Sequence, residues 1–160
     1  MSVLVVGIGN RSRGDDGIGP EVASRVARLG LPGVWVVVQD EPLALVEHLS
    51  RHEEVVVVDA TAPRGAPGSV QVLEVGSAPL RREPPAIGSH GLGVPEAVEL
   101  ARALGRLPHR LTLVGVEAQG FDVGAPLSEQ VRDRLDDAVR AVLDALPSLR
   151  GSGAEQPRRT

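Results

Sequence analysis

Carboxylates and an imidazole occur at three separate points of the chain, where it leaves a predicted strand or approaches a predicted helix. Asp15 and Asp16 follow the first apolar run, Asp59 follows the third, and His90 comes just before a helical pattern. Two oxygen ligands and one imidazole suit a divalent transition metal that also binds substrate or water. The sequence therefore predicts a site made by Asp16, Asp59 and His90 at the carboxyl edge of a sheet.

Each of these residues also has a simpler interpretation. Asp15 and Asp16 could start a helix with favourable negative charge, Asp59 could form a turn, and His90 could cap the helix that follows it. Their separation in sequence is no objection to a shared site, because ligands of open α/β sheets bind where the carboxyl ends of the strands converge.

Other kinds of site fit the sequence less well. Gly7 and Gly9 begin a dinucleotide-binding pattern, but its third glycine would fall at Ser12. No G-x-S-x-G motif is present for a serine hydrolase. His48 and His52 have helical spacing but no third ligand in a zincin pattern, so a solvated helix face is the better interpretation for them.

Composition excludes several function classes. With no cysteine among 160 residues, disulfides, iron-sulfur clusters and cysteine nucleophiles are ruled out. The net charge of -4 and the two aromatic residues, Trp35 and Phe121, argue against nucleic acid as a partner. No apolar run approaches the length of a membrane span and no signal segment precedes the first strand. We expect a cytoplasmic monomer that does not bind membranes.

Apolar runs and helical spacing alternate along the chain, which predicts a single three-layer α/β domain. Its sheet should be mostly parallel and twisted, with about five strands, one antiparallel edge strand, and helices on both faces. We expect residues 1–147 to form this domain, residues 76–88 a surface loop, and residues 148–160 a disordered tail. The predicted strands are 3–6, 34–38, 55–58, 69–74 and 111–116, and the helices lie near 22–29, 42–49, 94–104 and 128–146, the last with a capping box at Ser128.

Five motifs in order give the chain a family resemblance that covers nearly the whole predicted domain. The chain resembles the hydrogenase maturation endopeptidases, which trim the C-terminal extension of the large subunit of nickel-iron hydrogenases. The motifs are Gly7-Ile8-Gly9-Asn10, Asp15-Asp16-Gly17-Ile18-Gly19, Val58-Asp59-Ala60, Ser89-His90-Gly91-Leu92-Gly93, and the run from Leu111 to Glu117.

The resemblance implies a hydrolase whose partner is the large-subunit precursor. It also implies that Asp16, Asp59 and His90 take the three metal-contacting positions, with an Asp as a candidate base. The metal would be nickel already carried by the precursor, so that the protease recognises loaded substrate.

Two departures from the family pattern concern substrate recognition. The family commonly has an Asp-Gly-Gly type loop after the second strand, whereas Asp40 is followed here by Glu41 and Pro42. We assign Asp40 and Glu41 to substrate binding by this resemblance. Arg11 and Arg13 replace a more apolar stretch, and could meet a carboxylate on the partner or be solvated.

Two alternatives to this function remain. One is a metal-dependent peptidase with its own bound ion. The other is a non-enzymatic, nucleotide-binding α/β domain, suggested by Gly7 and Gly9.

Overall fold

The computed structural model describes residues 2–78, 80 and 93–147. Strands and helices alternate for most of this length, as the sequence predicts. Short 3-10 helices precede α1 at Gly14–Gly17 and α2 at Pro42–Ala44. The elements in chain order are β1 (Val3–Ile8), α1 (Ile18–Arg28), β2 (Val34–Gln39), α2 (Leu45–Arg51), β3 (Glu54–Thr61), β4 (Val70–Glu74), α3 (Val94–Ala103), β5 (Arg110–Glu117), α4 (Glu129–Asp133) and α5 (Leu135–Ala145).

One sheet holds the five strands in the order β2-β1-β3-β5-β4. β1 pairs in parallel with β2 and β3, and β3 pairs in parallel with β5. Only β4 is antiparallel, at the edge beside β5. The predicted fold class, including the antiparallel edge strand, is confirmed.

The sheet separates two hydrophobic cores, because successive side chains of a strand point to opposite faces. Val3 and Val5 of β1 join the core under α1, α4 and α5, while Leu4, Val6 and Ile8 join the core under α2 and α3. Every residue of β1 is buried. This two-sided burial explains why the strand is an uninterrupted apolar run rather than an alternating one.

β3 is longer than its apolar run predicts. The strand was expected to end before Asp59, but it continues to Thr61. The reason is its neighbour β5, whose residues Gly115 and Glu117 pair with Asp59 and Thr61. Asp59 is therefore held by ladder hydrogen bonds rather than by a turn.

The last helix differs from the prediction in two ways. A single helix from 128 to 146 was expected, but Arg134, with φ -102° and ψ 7°, separates α4 from α5. Ser128 caps α4 by accepting the Val131 N–H at 3.4 Å. The predicted capping box is wrong, because its second half needs a polar side chain at the position that Val131 occupies.

The loop after β4 is tied to α3 at its start. Arg102 donates to the carbonyl oxygens of Gly76 at 2.6 Å and Ala78 at 3.2 Å, and the Leu80 N–H donates to Glu99 at 2.9 Å. Most of the predicted loop 76–88 lies outside the described residues, as do His90 and the predicted tail 148–160. The domain boundary at 147 stays a prediction. Within the described ranges, none of the helices has the length and apolar character needed to cross a membrane.

Candidate active site

Glycines allow the start of α1 to sit directly on the ends of two strands. A Cβ at Gly19 would lie 2.1 Å from the Ile8 carbonyl oxygen and 2.7 Å from that of Val58. Gly9 has φ 141°, and a Cβ there would lie 1.9 Å from the Asp16 carbonyl oxygen. Only glycine fits these positions without displacing the backbone. The close contact places Asp16 at the carboxyl edge of the sheet, over β1 and β3.

The Asp16 carboxylate is partly buried and points back into the loop that carries it. It accepts a hydrogen bond from the Asn10 N–H at 2.9 Å. Burial raises the pKa of Asp16, and the Asn10 hydrogen bond and the positive charge of Arg13 only partly oppose this effect. Since the carboxylate occupies the backbone donor at Asn10, that donor is not available to a nucleotide phosphate.

Asp59 lies beside Asp16, at the end of the neighbouring strand. Its side chain projects from the face that also carries Val55 and Val57. Burial raises the pKa of Asp59 well above its ordinary value, and the negative charge of Asp16 raises it further, against a hydrogen bond from Ala60. The negative charges of the two carboxylates therefore repel each other. Such a pair is stabilised by a shared proton or by a cation, so these residues fit a metal.

Asp15 points away from Asp16 and has a structural role. Its side chain is 1% exposed and accepts hydrogen bonds from the Gln119 N–H at 2.7 Å and from the N–H and hydroxyl of Ser128 at 2.7 and 2.8 Å. The Gly120 N–H completes the set at 3.4 Å. Asp15 thus joins the loop after β1 to the connection between β5 and α4.

The other predicted site residues stand apart from this pair. Asp40 and Glu41 are exposed at the end of β2, next to the Gly9 loop, where the Gly9 N–H donates to the Gln39 carbonyl at 3.0 Å. Glu41 also lines a wide, shallow depression of about 800 Å³ along α2, to which neither Asp16 nor Asp59 contributes. The substrate-binding assignment of Asp40 and Glu41 stays a prediction.

The third predicted ligand, His90, lies outside the described residues, so its position relative to Asp16 and Asp59 stays a prediction. Across 2–78, 80 and 93–147, no group of three Asp, Glu or His side chains could hold a metal. A metal centre that includes Asp16 and Asp59 therefore needs a ligand from elsewhere in the chain or from a substrate.

Two other sequence interpretations can be corrected. Arg11 is not simply solvated, because it contacts Glu21 at 2.8 Å and the Pro20 carbonyl at 3.0 Å, and its contact with a partner carboxylate stays a prediction. His48 is not simply solvated, because its ring lies 3.0 Å from the Gln39 amide of β2. Burial and the neighbouring His52 lower the pKa of His48.

Glu117 is a buried charged residue that no sequence pattern marks as part of a site. This last residue of β5 is 7% exposed and has a buried Oε2 with no hydrogen-bond partner among the described residues. Its only sequence signal was its position at the end of the last family-like motif. In the structure it pairs with Thr61, two residues beyond Asp59.

This chain is similar to a protein-family model, to related proteins and to solved structures. The family model of the hydrogenase maturation proteases, HycI, matches residues 37–145, a span that includes Asp59 and excludes Asp16. The hydrogenase 2 maturation protease of Escherichia coli K12 is 28% identical over 159 residues, covering 97% of this chain and 94% of that protein.

Two solved structures share the fold. An endopeptidase from Escherichia coli, solved in solution, has a TM-score of 0.78 and 26% identity, covering 97% of this chain and 96% of its own. The hydrogenase maturating endopeptidase HybD from Escherichia coli has a TM-score of 0.73 at 23% identity, covering 96% and 94%, and at that identity it supports the fold alone. The chain belongs to the hydrogenase maturation protease family, and its chemistry is the hydrolysis of a peptide bond in the maturation of a hydrogenase.

Proposed function

We propose that this protein removes the C-terminal extension from the large-subunit precursor of a nickel-iron hydrogenase after nickel has been inserted. The observation that carries the proposal is the convergence of Asp16 and Asp59, where the charge of one carboxylate raises the pKa of the other. A cation brought by the substrate would relieve this repulsion. Family membership supports a hydrogenase protein as the target.

In this proposal Asp16, Asp59 and His90 contact the nickel that the precursor carries. Carboxylate and imidazole groups both ligate divalent nickel. Because the ion arrives already held by the precursor, these three groups need only complete its coordination, and the enzyme alone should bind the ion weakly. Precursor without nickel would leave the two carboxylates facing each other with no counter-charge. The enzyme would thereby favour loaded over unloaded precursor, and it would act as a monomer.

Hydrolysis needs water to add to the scissile carbonyl and a proton to reach the departing amine. One carboxylate of the pair can take the proton of the attacking water and pass it to the nitrogen as the carbon-nitrogen bond breaks. The raised pKa values of Asp16 and Asp59 suit this task, because a base is most useful when its pKa lies nearer the working pH. The nickel of the substrate would assist by polarising the carbonyl or by acidifying the water.

The experiment is to incubate the protein with nickel-loaded and nickel-free large-subunit precursor and to measure product masses. We expect a C-terminal truncation of the loaded precursor only. Truncation of both forms would overturn the requirement for nickel, and truncation of neither would overturn the function. Replacing His90 by Ala should stop cleavage while leaving the circular dichroism spectrum unchanged, and full cleavage by that variant would remove His90 from the site.

A peptidase with its own resident ion makes a different prediction. Metal analysis of the purified protein would then find one tightly held ion per chain without precursor. We expect substoichiometric metal instead, because in our proposal the ion belongs to the precursor and its coordination is complete only in the complex.

A further inference from the structure

A small cavity lies beside Asp59 on the same face of the sheet, with a volume of about 210 Å³. Thr61 is two residues past Asp59, about 6 to 7 Å along β3, and so points to the same face. Gln71 of β4 is in register with Gly115 of β5, which is in register with Asp59. The cavity thus begins one pleat beyond Asp59. Its lining residues are Thr61, Arg64, Ala66, Ser69, Gln71 and Glu117.

Gly115 of β5 lies between Asp59 and Gln71 in the sheet, and the Thr61 side chain packs over it. A Cβ at that position would lie 2.7 Å from Cγ2 of Thr61, so any larger residue would push Thr61 aside. Gly115 therefore places no side chain of its own between Asp59 and the cavity. A chain bound at Asp59 could therefore place a neighbouring side chain in the cavity.

The chemistry of the cavity is set by Glu117. The residue is 7% exposed, and its Oε2 is buried with no hydrogen-bond partner in the described part of the protein. Burying a carboxylate oxygen without a donor is costly, and proteins rarely retain such a group without a use for it. The oxygen is an acceptor suited to a positively charged donor.

The neighbouring polar groups add further acceptors. The hydroxyl of Ser69 donates to the Ala66 carbonyl at 2.6 Å, which leaves the lone pairs of its oxygen available. Thr61 and Gln71 contribute a second hydroxyl and an amide. Guanidinium and ammonium groups carry several donors and no acceptor, so they match these acceptors. The remaining charged residue of the lining, Arg64, already has an interaction of its own within the chain. The volume is about seven times the roughly 30 Å³ share of one liquid water, so the cavity has room for a long side chain as well as its charged group.

We propose that this cavity is a specificity subsite that binds an arginine or lysine side chain of the precursor, close to the scissile bond, with Glu117 as its counter-charge. The inference rests on the proposed function, since it takes the scissile bond to be held at Asp59. Consecutive residues of an extended peptide advance about 3.3 Å, so the basic residue lies within about two positions of that bond. Glu117 acts on the choice of substrate and not on the hydrolysis.

Binding can be tested without any cleavage. The probe is N-acetyl-arginine amide, and its control is N-acetyl-citrulline amide, which has nearly the same shape and no charge. We expect saturable NMR shifts at Thr61, Gln71 and Glu117 with the arginine probe, and binding at least tenfold weaker with citrulline or with the variant Glu117→Gln. The absence of saturable shifts in the unmodified protein would overturn the subsite.

A second variant fills the cavity while keeping Glu117. Gln71→Lys would supply an ammonium group from β4, and we expect it to block the arginine probe as effectively as Glu117→Gln. Unchanged affinity in Gln71→Lys would contradict the placement of the probe.

Thermal melting tests whether the counter-charge of Glu117 already lies within the chain. Because Glu117→Gln removes a buried charge, its melting temperature should equal or exceed that of the unmodified protein. Equal and non-additive decreases in Glu117→Gln and Arg64→Ala would show that Arg64 is the partner of Glu117, which would overturn the proposal.

Precursor cleavage separates this proposal from the broader one. Each Lys or Arg within three residues of the cleaved bond is changed to Gln in turn. We expect one of these changes to lower kcat/KM at least about 30-fold with the unmodified enzyme and to have no effect with Glu117→Gln. If precursor is cleaved but no position couples to Glu117, the subsite is wrong and the function stands. If the probe binds but no precursor is cleaved, the function is wrong, and with it the role in substrate choice, although the cavity binds arginine.

Discussion

The carboxylate of Asp15 accepts both the backbone N–H and the hydroxyl of Ser128, a residue 113 positions later in the chain. Asp15 and Asp16 are adjacent in sequence but face different environments. The Asp15 carboxylate fixes the 3-10 helix to the connection after β5, while the Asp16 carboxylate lies near enough to Asp59 to raise its pKa. We call the hydrogen bonds that Asp15 accepts the tether. The tether restricts where the Asp16 side chain can point, because the two residues share one short 3-10 helix.

The first prediction concerns this tether. Asp15→Asn would place an amide nitrogen against donors that now meet a charged carboxylate, so we expect the free energy of unfolding to fall by about 3 kcal/mol. Urea denaturation measures the change, with the exposed Asp133→Asn as the matched control, for which we expect a change below about 0.5 kcal/mol. Equal stability of the two variants would show that the buried hydrogen bonds contribute little.

The second prediction concerns the coupling of the two site carboxylates. Since the charge of Asp16 is one cause of the raised pKa of Asp59, Asp16→Asn should lower the pKa of Asp59. A ¹³C NMR titration of the Asp59 carboxyl group would follow it. Asp40→Asn is the control, because Asp40 is exposed at the end of another strand. An unchanged titration midpoint of Asp59 in the variant Asp16→Asn would mean that the carboxylates of Asp16 and Asp59 do not interact.

The third prediction concerns stability and pH. The native pKa of Asp59 lies above its ordinary value of 3.8, so between these values the native state binds more protons than the unfolded state. Stability due to this group is therefore present at low pH and lost as pH rises through the native pKa. Asp59→Asn removes that loss. We expect the variant to unfold at higher urea than the wild type at neutral pH, with the difference shrinking as pH falls towards 3.8. A difference that grows on acidification would contradict the sign of the shift.

The fourth prediction concerns the seating of α1. In Gly19→Ala the new Cβ would meet the backbone oxygens of Ile8 and Val58 at 2.1 and 2.7 Å, and neither can move without disturbing β1 or β3. We expect a loss of about 3 kcal/mol, the upper end of the usual cost of overpacking, together with loss of cleavage. Gly76→Ala is the control, since no atom lies within 4 Å of its new Cβ. Wild-type stability in Gly19→Ala would argue against this close packing.

Much of the fold could be predicted because its signals are local. Apolar runs such as 55–58, closed by turn residues, are typical of strands buried on both faces, and the alternation with helices then defines the fold class. The end of β3 could not be found in this way. Asp59 and Thr61 are strand residues only because β5 continues beside them.

The candidate site also has parts that local sequence signals predict and parts that they do not. Asp16 and Asp59 could be placed at one edge of the sheet because parallel strands converge there. The role of Asp15 depends on partners more than a hundred positions away, and no local pattern contains that information. Glu117 is a charged strand-end residue, a type that is usually solvated, so only its three-dimensional neighbours reveal its burial.

The contacts of Asp15 also bear on when the enzyme becomes able to cut. β1, β3 and the turn carrying Asp16 leave the ribosome early, but the donors at Gln119 and Ser128 follow only after β5. Until those donors dock, the Asp15 carboxylate lacks the hydrogen bonds that fix the turn in the complete domain. The geometry that we propose for catalysis therefore forms late in folding, and we expect a partly synthesised chain not to cleave a precursor before its own domain is complete.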